Sequence, residues 1–429
     1  MPVAERLYYD DSFLRTFTAI VSDIREYART DGQSQWQIAL SRTAFYPTSG
    51  GQPFDRGALT ALARSGAELV AEIDEVTEDD DGEVWHSTRK PLLPGTAVTG
   101  RIDWSRRLDH MQQHSGQHLL SAIFEQELGA RTVSFHLGQE LSSIDLAIDL
   151  AIEGAPRALP AYIPRVERMA NEWIADDPAL SVHTVSRTEA EALLADGSLR
   201  KLPPRSGAIR LLEIPGLELN ACGGTHVRSL GQVGGLLLRG TERVKRQLRV
   251  EFVCGLRVAG AAREDFTALS SAAGTLSVAR AAVPAAVERL LADTKMAVKA
   301  EQRWREEAAQ QHAMRLAGEE RVEQGVRLVV RTFPDRDGEY VRLLASRLVA
   351  ATPQTCALLL STSEEPATLV LASSPGLPCD CGERLRRALS AHGLRGGGSP
   401  QIAQTRVPKA TAMLVAEAIS KAAAEELRA

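Results

Sequence analysis

Two pairs of side chains with the chemistry of metal ligands constrain this chain most. The segment "HSGQH" places His114 and His118 four residues apart, and "CGGTH" places Cys222 and His226 four residues apart. On a helix, that spacing puts both histidines on one face, one turn apart. The second pair flanks a Gly-Gly turn, which lets the backbone fold back so that thiolate and imidazole point the same way. Because 104 residues (222 − 118) separate the two pairs, only a fold that packs a helix against a distant turn can unite them.

The four residue types together favour zinc. Cysteine and histidine are the ligands that zinc prefers, whereas calcium and magnesium take oxygen ligands. Each residue alone has a plainer interpretation: a wet helix face for the first pair, a buried thiol for Cys222 and a turn histidine for His226. The combination predicts one Zn²⁺ per chain, with His114, His118, Cys222 and His226 as ligands. Either three or four of these residues bind the ion. With three protein ligands, the ion would keep an open position.

Composition limits the classes of protein. The chain has 429 residues, 44% of them hydrophobic, enough for several domains with their own cores. A net charge of -5 argues against a general nucleic-acid coat protein but allows a local basic patch. An odd number of cysteines, five, does not suggest a disulfide framework and favours a reducing, cytoplasmic compartment. We recognise no signal peptide or transmembrane run, and therefore expect no membrane partner.

Pattern along the chain predicts an α+β protein of four parts. Residues 1–100 alternate in short runs between Gly, Pro and Asp clusters, which predicts a β-rich, barrel-like domain. Residues 101–258 mix helix and strand, residues 259–324 form an Ala-rich helical arm, and residues 325–429 form an α/β domain.

Several local features refine this division. We expect a hairpin tip at 78–83, a connector at 90–104, a strand over 140–150 and a helix from about Arg107 to Leu128 that Gly129 ends. The arm is one long helix or a pair, with Pro284 in a first turn.

Three longer segments carry a family resemblance. "TAFYPTSGGQPFDRG" (43–57), "RLDHMQQHSGQHLLSAIF" (107–124) and "EIPGLELNACGGTHVRSLGQVGGL" (213–236) resemble the editing domain of alanyl-tRNA synthetase. They resemble even more its free-standing relatives, the long-form AlaX-type alanyl-tRNA editing proteins, over about residues 5–258. The segment "GLRGGGSPQIAQ" (393–404) is similar to the DHHA1-like C-terminal domain of the synthetase, with Ser399 where the family often has arginine.

The resemblance implies a zinc-dependent, trans-editing aminoacyl-tRNA deacylase. Its partner would be tRNA(Ala) mischarged with serine or glycine, and Ala-tRNA(Ala) would be spared. Thr43 is the candidate for recognising the serine hydroxyl, because a site that hydrogen-bonds a substrate hydroxyl rejects the analogue that lacks it. Gln117 and His136 are further pocket candidates, and the glycine-rich motif would face the zinc cleft through Gly50, Gly51 and Gln52. In the C-terminal domain, tRNA contacts are expected from Arg395, Gly396, Gly397 and Gly398.

Two other functions compete with this interpretation. One is a non-catalytic tRNA-binding protein with a structural zinc, and the other is a zinc hydrolase of a small ester or amide. The intact ligand set argues against the first. The basic runs at 239–249 and 384–398 and the C-terminal domain argue against the second, since a small substrate needs neither. We expect no ATP-dependent activation domain, because the editing-type motifs begin almost at Met1, and the Ala-rich arm is compatible with a homodimer through the arm and the C-terminal domain.

Overall fold

The computed structural model describes residues 3–30, 33–62, 66–147, 155–203, 207–245, 247–320, 322, 325–390 and 393–428. The chain divides into two compact units, Met1–Ser270 and Ser271–Ala429. Helices and sheets are both abundant, so the predicted α+β class is confirmed. Residues 148–150 of the predicted strand, and 321, 323 and 324 of the predicted arm, lie outside the described residues. Within the described ranges, no helix has the length and apolar composition that crossing a bilayer requires.

The first unit begins with an antiparallel sheet. Its elements are β1 (Glu5–Arg6), α1 (Leu7–Asp10), β2 (Thr16–Thr30), β3 (Gln33–Leu40), β4 (Arg42–Thr43), β5 (Gly57–Leu62), β6 (Glu68–Ile73), β7 (Glu75–Glu78), β8 (Val84–Thr88) and β9 (Ala97–Ile102). Seven strands follow the order β6-β5-β9-β2-β3-β8-β7, and β1 pairs with β4 in parallel. The sheet encloses a core that contains Phe17, Phe45 and Leu59. Among the described strands, β6 and β7 are edges that do not pair with each other, so the expected barrel is an open sheet.

The connector predicted at 90–104 is wrong, because β9 lies inside this sheet between β5 and β2. Side chains alternate along it, with Val98 and Ile102 buried. Gly100 lies against the Phe17 ring so closely that a Cβ at this position would overlap the ring. The sequence pattern did not predict this strand because Gly100 lies within it and two prolines precede it, and both residue types are unusual in strands. The hairpin predicted at 78–83 is confirmed, since it joins the antiparallel strands β7 and β8.

The rest of the first unit packs helices on two smaller sheets. Its elements are α2 (Trp104–Leu128), β10 (Arg131–Leu137), β11 (Ser142–Ala147), α3 (Ala155–Asp176), β12 (Ser181–Val185), α4 (Arg187–Ala195), β13 (Ile209–Ile214), β14 (Glu218–Ala221), β15 (Leu236–Val244), β16 (Gln247–Cys254) and α5 (Leu256–Leu276). The sheet orders are β10-β11-β16-β15 and β12-β13-β14, all antiparallel. Apolar side chains of α2, among them Leu119, Ile123 and Phe124, join the core of this region.

Helix α2 carries the first histidine pair and is fixed at both ends. The Asp103 side chain caps the helix by accepting a hydrogen bond from the Arg106 backbone N–H. The helix therefore begins at Trp104, three residues before the predicted start. Gly129 ends it in the left-handed conformation with φ 61°, as predicted. The fully buried Arg107 pairs with the buried Asp55, which ties α2 to the N-terminal sheet.

The second unit is a mixed sheet covered by helices. Its elements are α6 (Val283–Glu319), β17 (Arg327–Phe333), α7 (Gly338–Ala351), β18 (Thr355–Ser361), β19 (Ala367–Ser373), α8 (Cys381–Ser390), β20 (Gly397–Gly398), β21 (Ile402–Val407) and α9 (Lys409–Arg428). The strand order is β17-β18-β19-β21-β20, and only the β17–β18 pair among these is parallel. The predicted arm is a pair of helices, with Pro284 in the first turn of α6. The C-terminal part of α6 packs on this unit through Ala309 and Ala313.

Candidate metal centre and its cleft

The four predicted metal ligands lie together in the first unit. One ligand atom from each of His114, His118, Cys222 and His226 lies within 4.8 Å of the others. The Cys222 Sγ is 3.5 Å from His114 Nε2 and 3.2 Å from His226 Nε2. Helix α2 supplies the first pair of histidines, and the turn after β14 supplies Cys222 and His226.

Gly224 lets the turn approach the helix. A Cβ at this position would overlap the His114 ring and would lie 2.9 Å from Gln52 Oε1. By contrast, a Cβ on Gly223 would meet nothing closer than the Tyr9 hydroxyl, at 3.7 Å. The second glycine of "CGGTH" is therefore required by packing against a ligand.

Hydrogen bonds fix the orientation of each imidazole. His114 Nδ1 donates to Gln52 Oε1 at 2.8 Å, and the same oxygen accepts from the Thr225 backbone N–H. His118 Nδ1 donates to Glu218 Oε2 at 2.9 Å. When such a ring is neutral and its proton is on Nδ1, its Nε2 carries the lone pair, as metal-binding histidines require.

The third imidazole follows the same rule. His226 Nδ1 lies 3.2 Å from the hydroxyl of Ser115, a residue of α2. His118 Nε2 is buried and has no hydrogen-bond partner among the described residues. An unpartnered buried nitrogen costs free energy, so a ligand at the centre of the cluster would satisfy it.

Electrostatics favour a thiolate in this cluster. Burial alone would raise the pKa of Cys222, but His114, His226 and His118 outweigh it and hold this pKa well below its ordinary value. Burial lowers the pKa of His118, yet Glu218 and Cys222 raise it to about 10. Burial lowers the pKa of His226 to about 3, which keeps that ring neutral. A thiolate with imidazoles is the donor set that suits zinc, and an arriving divalent ion would displace the His118 proton.

A cleft of about 350 Å³ opens beside the cluster and contacts His114, His118 and Cys222. Gln117 forms part of its wall, and its amide nitrogen donates to Ser121 Oγ at 2.8 Å. Gln117 Oε1 is buried without a partner in the described structure. We call this space the metal cleft.

The glycine-rich motif reaches the cluster through one of its predicted residues. Gly50 and Gly51 adopt positive φ values of 54° and 88° in a tight turn closed by backbone bonds between Ser49 and Gln52. Gly50 lines the metal cleft, whereas Gly51 lies against Phe135, whose ring a Cβ would approach to 2.7 Å. Gln52 is fully buried, so it orients His114 instead of facing a substrate.

Two predicted pocket residues do not line the metal cleft. Thr43 is fully buried, donates to His86 Nε2 at 2.8 Å and accepts from the Phe45 backbone N–H. His86 Nδ1 donates to the Ile38 carbonyl, so His86 Nε2 is the atom that accepts from Thr43. A contact between Thr43 and a substrate hydroxyl would have to break this Thr43–His86 hydrogen bond. His136 is exposed on β10, on the opposite face from Phe135.

The remaining predicted contacts belong to the second unit. Arg395 and Gly396 line a cavity of about 560 Å³ together with Arg342 and Arg406. Gly397 and Gly398 form β20, and Cβ atoms on Gly396 or Gly398 would overlap neighbouring atoms. Gly396 and Gly398 therefore allow the neighbouring segments to pack closely.

Sequence comparisons show what the chain is similar to. The family model "tRNA synthetases class II (A)" matches residues 2–106, and "Threonyl and Alanyl tRNA synthetase second additional domain" matches residues 209–250. An alanine–tRNA ligase of Natronomonas pharaonis is 31% identical over 89% of this chain and 40% of its own length. The alanyl-tRNA editing protein Aarsd1 of Bos taurus is 34% identical over 58% of this chain and 54% of its own. The chain is similar to alanine–tRNA ligases and to alanyl-tRNA editing proteins.

The similarity to these relatives is partial. The chain spans about half the length of the curated relatives, and His114 and His118 lie between the two matched segments. A C-Ala domain from Aquifex aeolicus alanyl-tRNA synthetase matches 24% of this chain and 98% of its own at 21% identity, with a TM-score of 0.21.

Sequence reasoning missed the residues that orient the ligands. Glu218 and Ser115 hold His118 and His226, and Arg210 donates to the carbonyls of Cys222 and Gly224. The available signal was a carboxylate, Glu218, four residues before the cysteine.

Proposed function

We propose that this chain hydrolyses the ester bond of tRNA(Ala) mischarged with serine, takes glycine as a second substrate, and spares Ala-tRNA(Ala). The observation that carries the proposal is the buried His114, His118, Cys222 and His226 cluster at the edge of a cleft. The names of the relatives support it, since several are alanyl-tRNA editing proteins.

Zinc fits the cluster on chemical grounds. The four residues offer a thiolate and three imidazoles, and His118 Nε2 has no hydrogen-bond partner in the part of the chain that the structure describes. When bound, the ion would polarise a carbonyl oxygen or lower the pKa of a water molecule. The chain itself holds the ligand rings in place through Gln52 and Glu218.

Gln117 is the residue best placed to recognise serine. Its Oε1 on the cleft wall, which has no partner among the described residues, accepts a hydrogen bond from the serine hydroxyl, whereas an alanine side chain leaves this buried oxygen unpartnered. Because an unsatisfied buried acceptor costs about 1–3 kcal/mol, we expect discrimination between serine and alanine of about 5- to 150-fold from this contact.

RNA contacts follow from the charges around the cleft. Arg200 and Lys201 line it, and Lys201 has an exposed ammonium that suits a phosphate. In the second unit, Arg395, Arg342 and Arg406 share one cavity, which we assign to the tRNA body.

The decisive assay measures release of serine, glycine and alanine from tRNA(Ala) by the purified protein, with zinc content determined. We expect rapid serine release at about one zinc per chain, and loss of both zinc and activity in Cys222→Ala. Gln117→Ala should reduce the preference for serine over alanine, whereas Gln311→Ala, on the exposed surface of α6, should not. Absence of release from all three substrates would refute the proposal.

A structural zinc in a non-catalytic tRNA-binding protein is the second candidate. One observation favours it: four side-chain donors within 4.8 Å can fill a tetrahedral zinc sphere and leave no open position. In that case the protein binds tRNA and zinc but releases no amino acid.

We also propose a homodimer formed through the arm and the second unit. Exposed apolar side chains lie along α6, among them Leu290, Leu291, Met296 and Trp304. Sedimentation equilibrium should give twice the chain mass, and Leu290→Glu with Leu291→Glu should return it to the monomer. A monomeric wild type would refute this part.

A further inference from the structure

A second cavity of about 440 Å³ adjoins the metal cleft. The residues that line both spaces are Tyr46, Ser49, Ala221, Cys222 and Gly223. The other walls of the second space include Arg6, Tyr8, Tyr9 and Arg210. We call it the tyrosine cavity. Its volume, like that of the metal cleft, lies in the range typical of small-molecule sites, roughly 300–1,000 Å³.

Arg210 brings a positive charge to this cavity. Its guanidinium donates to the carbonyls of Cys222 at 2.9 Å and Gly224 at 2.8 Å, and to the Tyr9 carbonyl at 3.3 Å. No carboxylate forms an ion pair with it in the described part of the chain. Arginine has five N–H donors, so it retains capacity for a further acceptor. A half-buried cation whose hydrogen bonds within the described residues all go to carbonyls attracts an anionic ligand.

Tyr8 brings an unused hydroxyl. Its side chain is 1% exposed, and its hydroxyl has no hydrogen-bond partner among the described residues. A buried hydroxyl without a partner is costly in the free protein, so it points to a ligand that accepts from it. Arg6, on the same wall, is held by Glu78 at 3.0 Å.

Tyr9 brings an aromatic surface. Its ring is only partly buried, packs edge-on against Tyr8 with centroids 4.8 Å apart, and has the guanidiniums of Arg6 and Arg210 each 5.7 Å from its centroid. Such aromatic and arginine pairs are the surfaces on which nucleic-acid bases stack. Gly223, without a side chain, lines both the tyrosine cavity and the metal cleft.

We propose that the tyrosine cavity binds the terminal nucleotide of the aminoacyl-tRNA substrate. The base stacks on Tyr9, and oxygens of the ribose and phosphate accept from Tyr8 and Arg210. The amino acid, esterified to that same ribose, then passes Gly223 into the metal cleft. Sites for the two linked parts of one substrate must adjoin, and five residues line both of these cavities. This inference rests on the proposed function, because it assigns the other half of the same substrate.

Adenosine 5′-monophosphate and the variant Tyr8→Phe test the inference, because AMP is the terminal nucleotide without its amino acid. Tyr8→Phe removes only the unpartnered hydroxyl, so the melting temperature of the variant should not fall. Arg210 is a poorer choice, because it also holds the turn that carries Cys222. The matched control is Tyr27→Phe, whose side chain is 56% exposed on β2.

With the wild type, we expect AMP to bind in isothermal titration and to compete with Ser-tRNA(Ala). In Tyr8→Phe, the dissociation constant of AMP and the KM for Ser-tRNA(Ala) should both rise about three- to tenfold while kcat is kept, as the loss of one neutral hydrogen bond predicts. Tyr27→Phe should match the wild type in both.

The outcomes separate this inference from the proposed function. Failure of the wild type to release serine would refute the deacylase, and AMP binding weakened by Tyr8→Phe would still support a nucleotide site. No AMP binding by the wild type, or unchanged AMP binding and KM in Tyr8→Phe, would overturn the assignment of the tyrosine cavity.

Discussion

Replacing Gln52 with methionine should weaken zinc binding without touching a ligand. The Gln52 amide accepts from His114 Nδ1 and from the Thr225 backbone N–H, and donates to Thr225 Oγ1 at 2.8 Å. Methionine has nearly the same length but neither accepts these two protons well nor donates. The variant therefore leaves the His114 ring free to turn and two buried donors without an acceptor.

The magnitude follows from these lost bonds. Residues that orient a metal-binding histidine are each worth about 10- to 100-fold in metal affinity, or about 1.4–2.7 kcal/mol. Two buried donors left unsatisfied, at about 1–3 kcal/mol each, should lower the free energy of unfolding by about 2–6 kcal/mol. Zinc affinity is measured by competition with a chromophoric chelator, and stability by urea unfolding.

Two further variants make the result specific. Gln37→Met removes a glutamine that is also buried, on β3, whose Oε1 accepts from Arg25 Nε at 2.9 Å. It should lower stability and leave zinc affinity unchanged. Gln52→Glu keeps both acceptor contacts, and should bind zinc at least as tightly as the wild type. Wild-type zinc affinity in Gln52→Met would show that our reasoning about the His114 orientation is wrong.

Three other changes give independent checks. Gly224→Ala should abolish zinc binding because its Cβ would overlap the His114 ring, whereas Gly223→Ala should keep it in the same chelator assay. Arg107→Met should lower the free energy of unfolding in urea by about 3–5 kcal/mol, since it leaves Asp55 buried and unpaired; a drop below 1 kcal/mol would contradict this. Burial lowers the pKa of His86 to about 4. As the pH falls, His86 therefore binds a proton near pH ~6.5 in the unfolded chain but only near pH ~4 in the folded chain. Stability should therefore fall by up to about 3 kcal/mol between these pH values, and His86→Gln should remove that part of the fall, as unfolding curves at each pH would show.

The ligand cluster was predictable because each half of it is a local property of the sequence. Four-residue spacing on a helix, and a cysteine and a histidine around a Gly-Gly turn, need no knowledge of tertiary structure. The ends of α2 were equally local, since Asp103 and Gly129 are capping residues. The open edge of the N-terminal sheet was not predictable, because alternation along a strand does not state which strands pair.

Residues that act through a ligand depend on contacts that no local pattern encodes. Gln52 lies 62 residues from His114, and Glu218 lies 100 residues from His118. Their bonds exist only because the N-terminal sheet and β14 both pack against α2. From the sequence alone, any polar residue near the glycine-rich motif was an equal candidate for the hydrogen bond to His114.

Thr43 and Gln52 show what the fold adds to such a reading. Both are buried polar residues near the glycine-rich motif, and each forms a hydrogen bond with a histidine. The hydroxyl of Thr43 bonds His86 inside the sheet, whereas the amide of Gln52 bonds His114, a ligand of the candidate metal. The difference arises from the turn at Gly50 and Gly51, whose positive φ values reverse the chain between them and direct Gln52 toward α2. Glycine adopts positive φ values with less strain than other residues, so the backbone of the motif directs Gln52 toward a ligand of the candidate metal.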